Sequence, residues 1–215
     1  IAHAVLKKGR PVEGHDDLVA VDVTYKLGRK ADYGRQYASF PSLQTCPGWL
    51  RRLCSHGLYF DVDIANAFPT IFAQIAGKHN IDNPELNNYV ANRKAVVEKI
   101  CADMSLSFDQ VKRAFLIALH NGSYLQATNN QPHPVLEAYA AEVQKIGVAL
   151  SELPEYSEKW DDAVNAQADK KDQEGKPSKF NAIGSFIARI CQVVENVLIM
   201  AATEYLASQD IEVRH

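Results

Sequence analysis

The spacing of apolar residues in the second half of this chain constrains its fold more than any other feature. Apolar side chains recur there every three or four positions, which predicts helices with one buried face. Four segments show this spacing: residues 65–76, 85–102, 107–119 and 134–150. A fifth, residues 183–207, is apolar along most of its length and predicts the main core helix. The chain is therefore expected to fold around packed helices.

Two short segments rich in β-branched and aromatic residues predict a small sheet beside these helices. Residues 18–23 read L-V-A-V-D-V, and residues 58–63 read L-Y-F-D-V-D directly after Gly57. The sequence has no internal repeat and no alternation of strand and helix patterns, which argues against a parallel βαβ sheet. Residues 165–179 are polar and predict an exposed loop or a frayed helix. The predicted class is α+β, helix-rich, with a small antiparallel sheet.

Composition narrows the possible environments and partners. With 47% hydrophobic and 23% charged residues, the 215-residue chain has the composition of a folded globular protein. The net charge of −3 excludes a histone-like polycation, and no stretch approaches the 18 uncharged apolar residues of a membrane span. The four cysteines form no C-x-x-C pair, which favours reduced thiols. We expect a cytoplasmic or nuclear protein that is not secreted and has no membrane partner.

The most informative chemistry lies at the end of the second predicted strand. Asp61 and Asp63 are two positions apart, so on a strand their carboxylates face the same side. Two adjacent negative charges need a cation, and Mg2+ or Mn2+ takes oxygen ligands of this kind. The pair therefore suggests one edge of a metal site for phosphoryl or nucleotidyl transfer. A solvated strand end or a helix cap explains the same residues without a metal.

Residues 26–52 mix basic and aromatic side chains. They hold six basic residues and one acidic residue, interleaved with aromatic residues that include Tyr37, Phe40 and Trp49. Such a mixture can bind a phosphate backbone and stack on bases, although arginines on a solvated face give the same pattern.

The motif G-R-x5-P-x-L-Q-x-x-P at residues 34–47 resembles the segment before the first catalytic motif of family A DNA polymerases, the class of bacterial DNA polymerase I. The resemblance implies that Asp63 is a metal-binding catalytic carboxylate in the two-metal site of a polymerase palm. Asp61, a candidate from its spacing on the strand, would assist Asp63 but does not correspond to the family's second metal ligand. It places Asn66 and Phe68 at substrate-binding positions, with Phe68 against the sugar of the incoming nucleotide. The spacing alone favours a core position for Phe68.

The resemblance extends more loosely to later segments. Residues 112–122 resemble the fingers helix that holds the triphosphate, which implies substrate binding by Lys112 and Arg113, with Arg93 as a further basic candidate. An amphipathic helix with solvent-facing bases is the alternative. The resemblance also implies contacts to nucleic acid from six residues: Arg35, Gln44, Arg51, Arg52, Arg189 and Gln192. The last two lie on an apolar helix, where a buried polar network is an alternative.

The resemblance implies a template-directed DNA polymerase that transfers a nucleotide from a dNTP to a primer 3′-hydroxyl. A role in DNA replication or in repair, and a cellular, viral or mobile-element origin, stay open. The partners of such a polymerase would be primer–template DNA, dNTPs and replication accessory proteins. The expected organisation is a palm part at 1–80, a fingers-like region at 81–180 and a return to the palm at 181–215. A second catalytic carboxylate is expected beyond His215. Two alternatives stay open: a reverse transcriptase-like polymerase, and a nucleic-acid-binding subunit without catalysis.

Overall fold

The structure is a computed structural model that describes residues 7–27, 36–57, 64–168 and 180–211, apart from the side chains of residues 15–18, 36, 54 and 55. Internal contacts divide the chain into two compact units. The first comprises the residues up to 64 and those from 196 onward, and the second comprises residues 65–195.

Residues 10–57 of the first unit, as far as the structure describes them, contain two short antiparallel strand pairs and one short helix. Strands β1 (Arg10–Val12) and β2 (His15–Ala20) pair antiparallel, as do β3 (Tyr25–Leu27) and β4 (Gln36–Ala38). Helix α1 (Gly48–Ser55) follows the second hairpin. Each sheet has two strands, so its side chains bury little apolar surface. Backbone hydrogen bonds between the strands are the main interaction within each sheet.

The second unit is helical. Its helices are α2 (Ala67–Lys78), α3 (Pro84–Met104), α4 (Phe108–Leu119), α5 (Pro134–Ser151), α6 (Ser157–Ala168) and α7 (Ala182–Ser208). Short 3-10 turns at Tyr124–Thr128 and Pro154–Tyr156 precede α5 and α6. Helix α7 belongs to this unit as far as residue 195, and its remaining residues belong to the first unit.

An aromatic cluster joins three helices of the second unit. The rings of Tyr89 on α3 and Phe115 on α4 stack with centroids 4.1 Å apart. Tyr139 on α5 meets both edge-on, at 5.4 and 5.0 Å. All three side chains are buried, and aromatic pairs in these geometries add about 0.5–1.5 kcal/mol beyond their burial. The cluster therefore fixes how α3, α4 and α5 pack.

Local signals set the ends of α4. Ser107 accepts a hydrogen bond from the backbone N–H of Gln110, and the Gln110 side chain accepts one from the backbone N–H of Ser107, which forms a capping box. At the other end, Asn121 is left-handed with φ 51°. The backbone N–H of Gly122 donates to the carbonyl of Ile117 at 2.9 Å, as in a Schellman motif.

The predicted α+β class is confirmed, and the five predicted helices correspond to α2, α3, α4, α5 and α7. The sequence analysis did not predict α1, α6 or the β3–β4 hairpin. Residues 58–63, predicted as a strand, lie outside the described residues. The sequence analysis divided the chain by expected function, into residues 1–80, 81–180 and 181–215. The two units defined by contacts are a different kind of division, so the functional segments stay a prediction.

Helix α7 is long and apolar enough to cross a membrane by length and composition alone. Its first part packs in the core of the second unit, where Phe186, Ile187 and Ile190 are buried, whereas apolar residues further along, such as Val197 and Leu198, are exposed. It also carries Arg189 and Glu195, which a membrane span disfavours.

Candidate nucleic-acid interface

Helix α1 presents an exposed face of mixed chemistry. Trp49 and Leu53 are four residues apart and Arg52 lies three residues after Trp49, so the three share one side of the helix. Trp49 is 69% exposed and Leu53 68% exposed, whereas large apolar side chains are mostly buried in folded proteins. The exposed Arg52 also lies in the last turn, where a cation is favourable. This Trp49–Arg52–Leu53 face can stack on a base and bind a phosphate.

The β3–β4 hairpin carries further exposed side chains of the same two kinds. Lys26 and Tyr37 are directly opposite in the antiparallel register, so both point to the same face of the hairpin. Both are exposed, Tyr37 by 53%. Phe40, in the loop that follows, is 47% exposed. Basic and aromatic side chains of residues 26–52 are thus exposed to solvent at Lys26, Tyr37 and Phe40.

Hydrogen bonds hold the loop between the hairpin and α1. The side-chain oxygen of Gln44 accepts a 2.6 Å bond from the backbone N–H of Ala38 at the end of β4. Thr45 and Ser42 bond to each other through side chains and backbone. The Nζ of Lys8 donates to the Phe40 carbonyl at 2.9 Å. Gln44 therefore shapes this loop, and the predicted contact of Gln44 with nucleic acid stays a prediction.

The basic candidates of the second unit lie in different surroundings. Lys112 and Arg113 are exposed on α4, on the side away from the buried Val111 and Ala114. Arg93 is partly buried on α3, one turn after Tyr89. Burial raises the pKa of Tyr89, and the neighbouring Arg93 opposes that rise. Helix α3 departs from helical geometry at Asn92, one residue before Arg93.

Phe68 and Asn66 lie at the start of α2. Asn66 is the left-handed residue before the helix, and its carbonyl accepts bonds from the backbone and the hydroxyl of Thr70. The partly buried Phe68 packs against the core and meets the ring of His120 edge-on at 5.8 Å. Burial lowers the pKa of His120, so its imidazole is favoured in the neutral form.

Arg189 is held inside the second unit. It donates to the hydroxyl of Ser185 at 3.1 Å and to the backbone carbonyl of Asp162 at 3.3 Å. Gln192 is partly buried one turn further along α7. Their position fits the polar network left open by the sequence analysis, and their contact with nucleic acid stays a prediction.

The predicted metal site is not among the described residues. Asp61, Asp63 and Arg35 all lie outside them. Within the described ranges, no group of three or more His, Cys, Asp or Glu side chains is placed to hold a metal ion. The two-metal Mg2+ or Mn2+ site therefore stays a prediction for residues 61 and 63.

Two structural features that could serve as binding sites escaped the sequence analysis. The exposed face of α1 was missed because Trp49, Arg51 and Arg52 were considered by composition and not as parts of a helix. A cleft at the start of α7, centred on Asn181, was also missed. The signal available there was an Asn directly before a long apolar helix, which is a common helix start.

Comparison with known proteins gives one informative similarity. No family model matches the sequence, and no solved structure is similar to it. A Sputnik virophage protein named "Putative helicase V13" is 31% identical over 129 residues, which are 57% of this chain. The chain spans 17% of the length of that relative.

This comparison overturns the prediction of a family A DNA polymerase. The similar protein is named as a helicase, and no polymerase family model matches the chain. The structure offers a local reason for the motif at residues 34–47. Within this motif, the Gln44 side chain accepts a hydrogen bond from the backbone of β4, and Pro47 directly precedes α1. Part of the motif's residue spacing is therefore explained by the loop that connects the hairpin to the helix. The predictions of a family A DNA polymerase and of nucleotidyl transfer to a primer are therefore wrong.

Proposed function

We propose that this chain is a nucleic-acid-binding part of a viral nucleic-acid enzyme of the helicase class. The exposed Trp49–Arg52–Leu53 face of α1 carries the proposal, because it offers stacking and phosphate-binding groups side by side. The similarity to a virophage protein named as a helicase supports the class of enzyme.

The chain is proposed to supply contacts to nucleic acid, with nucleotide hydrolysis supplied by another part of the enzyme. A P-loop motor needs the sequence G-x-x-x-x-G-K-[ST] to cradle phosphates, and the 215 residues do not contain it. The two G-K pairs are followed by His79 and Pro177 instead. We therefore expect the chain alone to bind strands without hydrolysing ATP.

The β3–β4 hairpin is proposed to extend the same binding surface. Lys26 can neutralise a phosphate, and Tyr37 opposite it can stack on a base. Arg51 adds a second exposed cation to α1. Because most of the affinity of such surfaces comes from phosphates, binding should weaken steeply as salt is raised.

Fluorescence anisotropy with a labelled single-stranded oligonucleotide tests the proposal. The double variant Arg51→Glu/Arg52→Glu should weaken binding at least about tenfold, because two phosphate contacts become repulsive. The variant Lys94→Glu/Lys99→Glu changes the charge equally on exposed positions of α3 and serves as the matched control. Equal losses in both variants would reduce the effect to net charge and contradict the assignment to α1.

A further inference from the structure

A cleft of about 570 Å3 opens in the second unit between the end of α4, the end of α6 and the start of α7. We call it the Asn181 cleft. Its lining includes His120, Asn121, Ser123, Gln167, Phe180 and Ser185, together with Asn181 itself. Ligand sites of proteins commonly have volumes of about 300–1,000 Å3. The cleft is therefore large enough for a small planar group.

Hydrogen bonds from one side chain fix the walls of this cleft. The side-chain nitrogen of Asn181 donates to the His120 carbonyl at 2.9 Å. The side-chain oxygen of Asn181 accepts from the side-chain nitrogen of Asn121 at 3.2 Å and from the backbone N–H of Gly184 at 2.9 Å. Asn181 thus ties the end of α4 to the first turn of α7, so the cleft is preorganised.

Gly184 allows these two segments to approach closely. A Cβ at this position would overlap the carbonyl oxygen of His120 and lie 2.6 Å from the side-chain nitrogen of Asn181. Such close backbone contact is available only to glycine. The geometry of the cleft therefore depends on this residue.

The described lining of the Asn181 cleft carries no formally charged side chain. His120 is favoured in its neutral form because burial lowers its pKa. The lining instead combines amides and hydroxyls with the 58% exposed ring of Phe180. A site without charge is poorly suited to a phosphate or a metal ion. It suits an uncharged, planar ligand with donors and acceptors along its edge.

Three polar groups in the cleft have open hydrogen-bonding capacity. Within the described part of the chain, the side-chain oxygen of Asn121, the hydroxyl of Ser123 and the side-chain nitrogen of Gln167 make no hydrogen bond. The Asn121 oxygen is an acceptor, the Ser123 hydroxyl can donate or accept, and the Gln167 nitrogen is a donor. This combination matches the donor and acceptor pattern on the edge of a nucleobase.

We propose that the Asn181 cleft binds a nucleobase, stacked on Phe180 and hydrogen-bonded by Asn121, Ser123 and Gln167. This inference rests on the proposed function, because the base would be part of the nucleic acid that the chain is proposed to bind. The site is distinct from the α1 face, because its residues lie in the second unit and act on the base rather than on phosphates.

Titration of the chain with free nucleosides, followed by amide NMR shifts, tests this proposal. We expect saturable shifts at Gly122, Ser123 and Gly184. Phe180→Ala should weaken binding at least about fivefold, because base–aromatic stacking is lost. Phe108→Ala removes a similarly exposed ring, 42% exposed on α4, and should leave binding within about twofold of the wild type.

The proposal would be overturned by the absence of saturable shifts, by equal binding of ribose 5-phosphate, or by equal effects of the two phenylalanine variants. The Arg51→Glu/Arg52→Glu variant separates the two proposals. It should lose strand binding and keep nucleoside binding, whereas a loss of both would overturn the cleft as an independent base site. Strand binding without nucleoside binding would overturn the cleft and leave the proposed function standing.

Discussion

The carboxylate of Glu142 on α5 accepts a 2.8 Å hydrogen bond from the backbone N–H of Leu86 in the first turn of α3. Its other oxygen accepts one from the N–H of Glu85 at 3.1 Å. First-turn N–H groups have no partner inside their own helix, and a negative charge is favourable at this end. The N-cap residue Asn83 does not fill this role, since its side-chain oxygen accepts from the side-chain nitrogen of Asn87 and its own side-chain nitrogen donates to the Ala73 carbonyl.

We predict that Glu142→Ala lowers the free energy of unfolding by about 1–3 kcal/mol, because two N–H groups lose a charged acceptor. Urea unfolding followed by circular dichroism measures the change. Gln144→Ala, at an exposed position on the same helix, is the control and should change stability by less than about 0.5 kcal/mol. Equal effects of the two substitutions would show that Glu142 does not hold the start of α3.

We predict opposite effects for alanine at two helical glycines. Gly184→Ala should destabilise the chain by about 1–3 kcal/mol, because the new Cβ overlaps the His120 carbonyl. Gly77→Ala on α2 meets nothing within 4 Å and should stabilise it by up to about 1 kcal/mol. Thermal unfolding of both variants provides the measurement. Stabilisation by Gly184→Ala would mean that α4 and α7 are further apart than the structure shows.

The lowered pKa of His120 predicts a dependence of stability on pH. Burial is the main cause, and the backbone of Gly184 opposes it. Because the unfolded chain binds a proton at this side chain more readily, its contribution to stability is complete above the unfolded pKa of about 6.5. It is lost as the pH falls from there through the folded pKa.

His120→Gln should therefore show a smaller fall in unfolding free energy than the wild type between about pH 6.5 and pH 5. Every other ionisable side chain is the same in the two chains, so the difference between them reports on His120. Urea unfolding at a series of pH values measures the two slopes. Identical slopes would contradict a buried neutral imidazole at this position.

The main helices were predictable because their cores are encoded locally. Apolar spacing predicted α3 at residues 85–102, close to the observed Pro84–Met104. A serine cap and an Asn-Gly stop placed α4 within one residue of its bounds. Ser107 and the Asn121–Gly122 turn mark the ends of α4 by short-range hydrogen bonds. Such signals survive in the sequence because each involves residues within a few positions of one another.

The missed elements depend on other interactions. Helix α1 exposes Trp49 and Leu53 together, so it lacks the buried face that apolar spacing reveals. The Asn181 cleft joins residues about sixty positions apart, as in the bond between Asn181 and the His120 carbonyl. No local pattern encodes such a pairing. Resemblance over a short loop motif was likewise insufficient to assign the enzyme, because loop spacing reflects loop geometry as well as function.

Fluorescence of Trp49 during titration with a single-stranded oligonucleotide tests the central claim most directly. The chain has two tryptophans, so Trp160→Phe leaves Trp49 as the single emitter, while phenylalanine preserves an aromatic contact with Phe186. We predict saturable quenching with the midpoint found by anisotropy, because a base stacks on the indole. Binding by anisotropy with unchanged Trp49 emission would contradict the assignment of α1 as the interface.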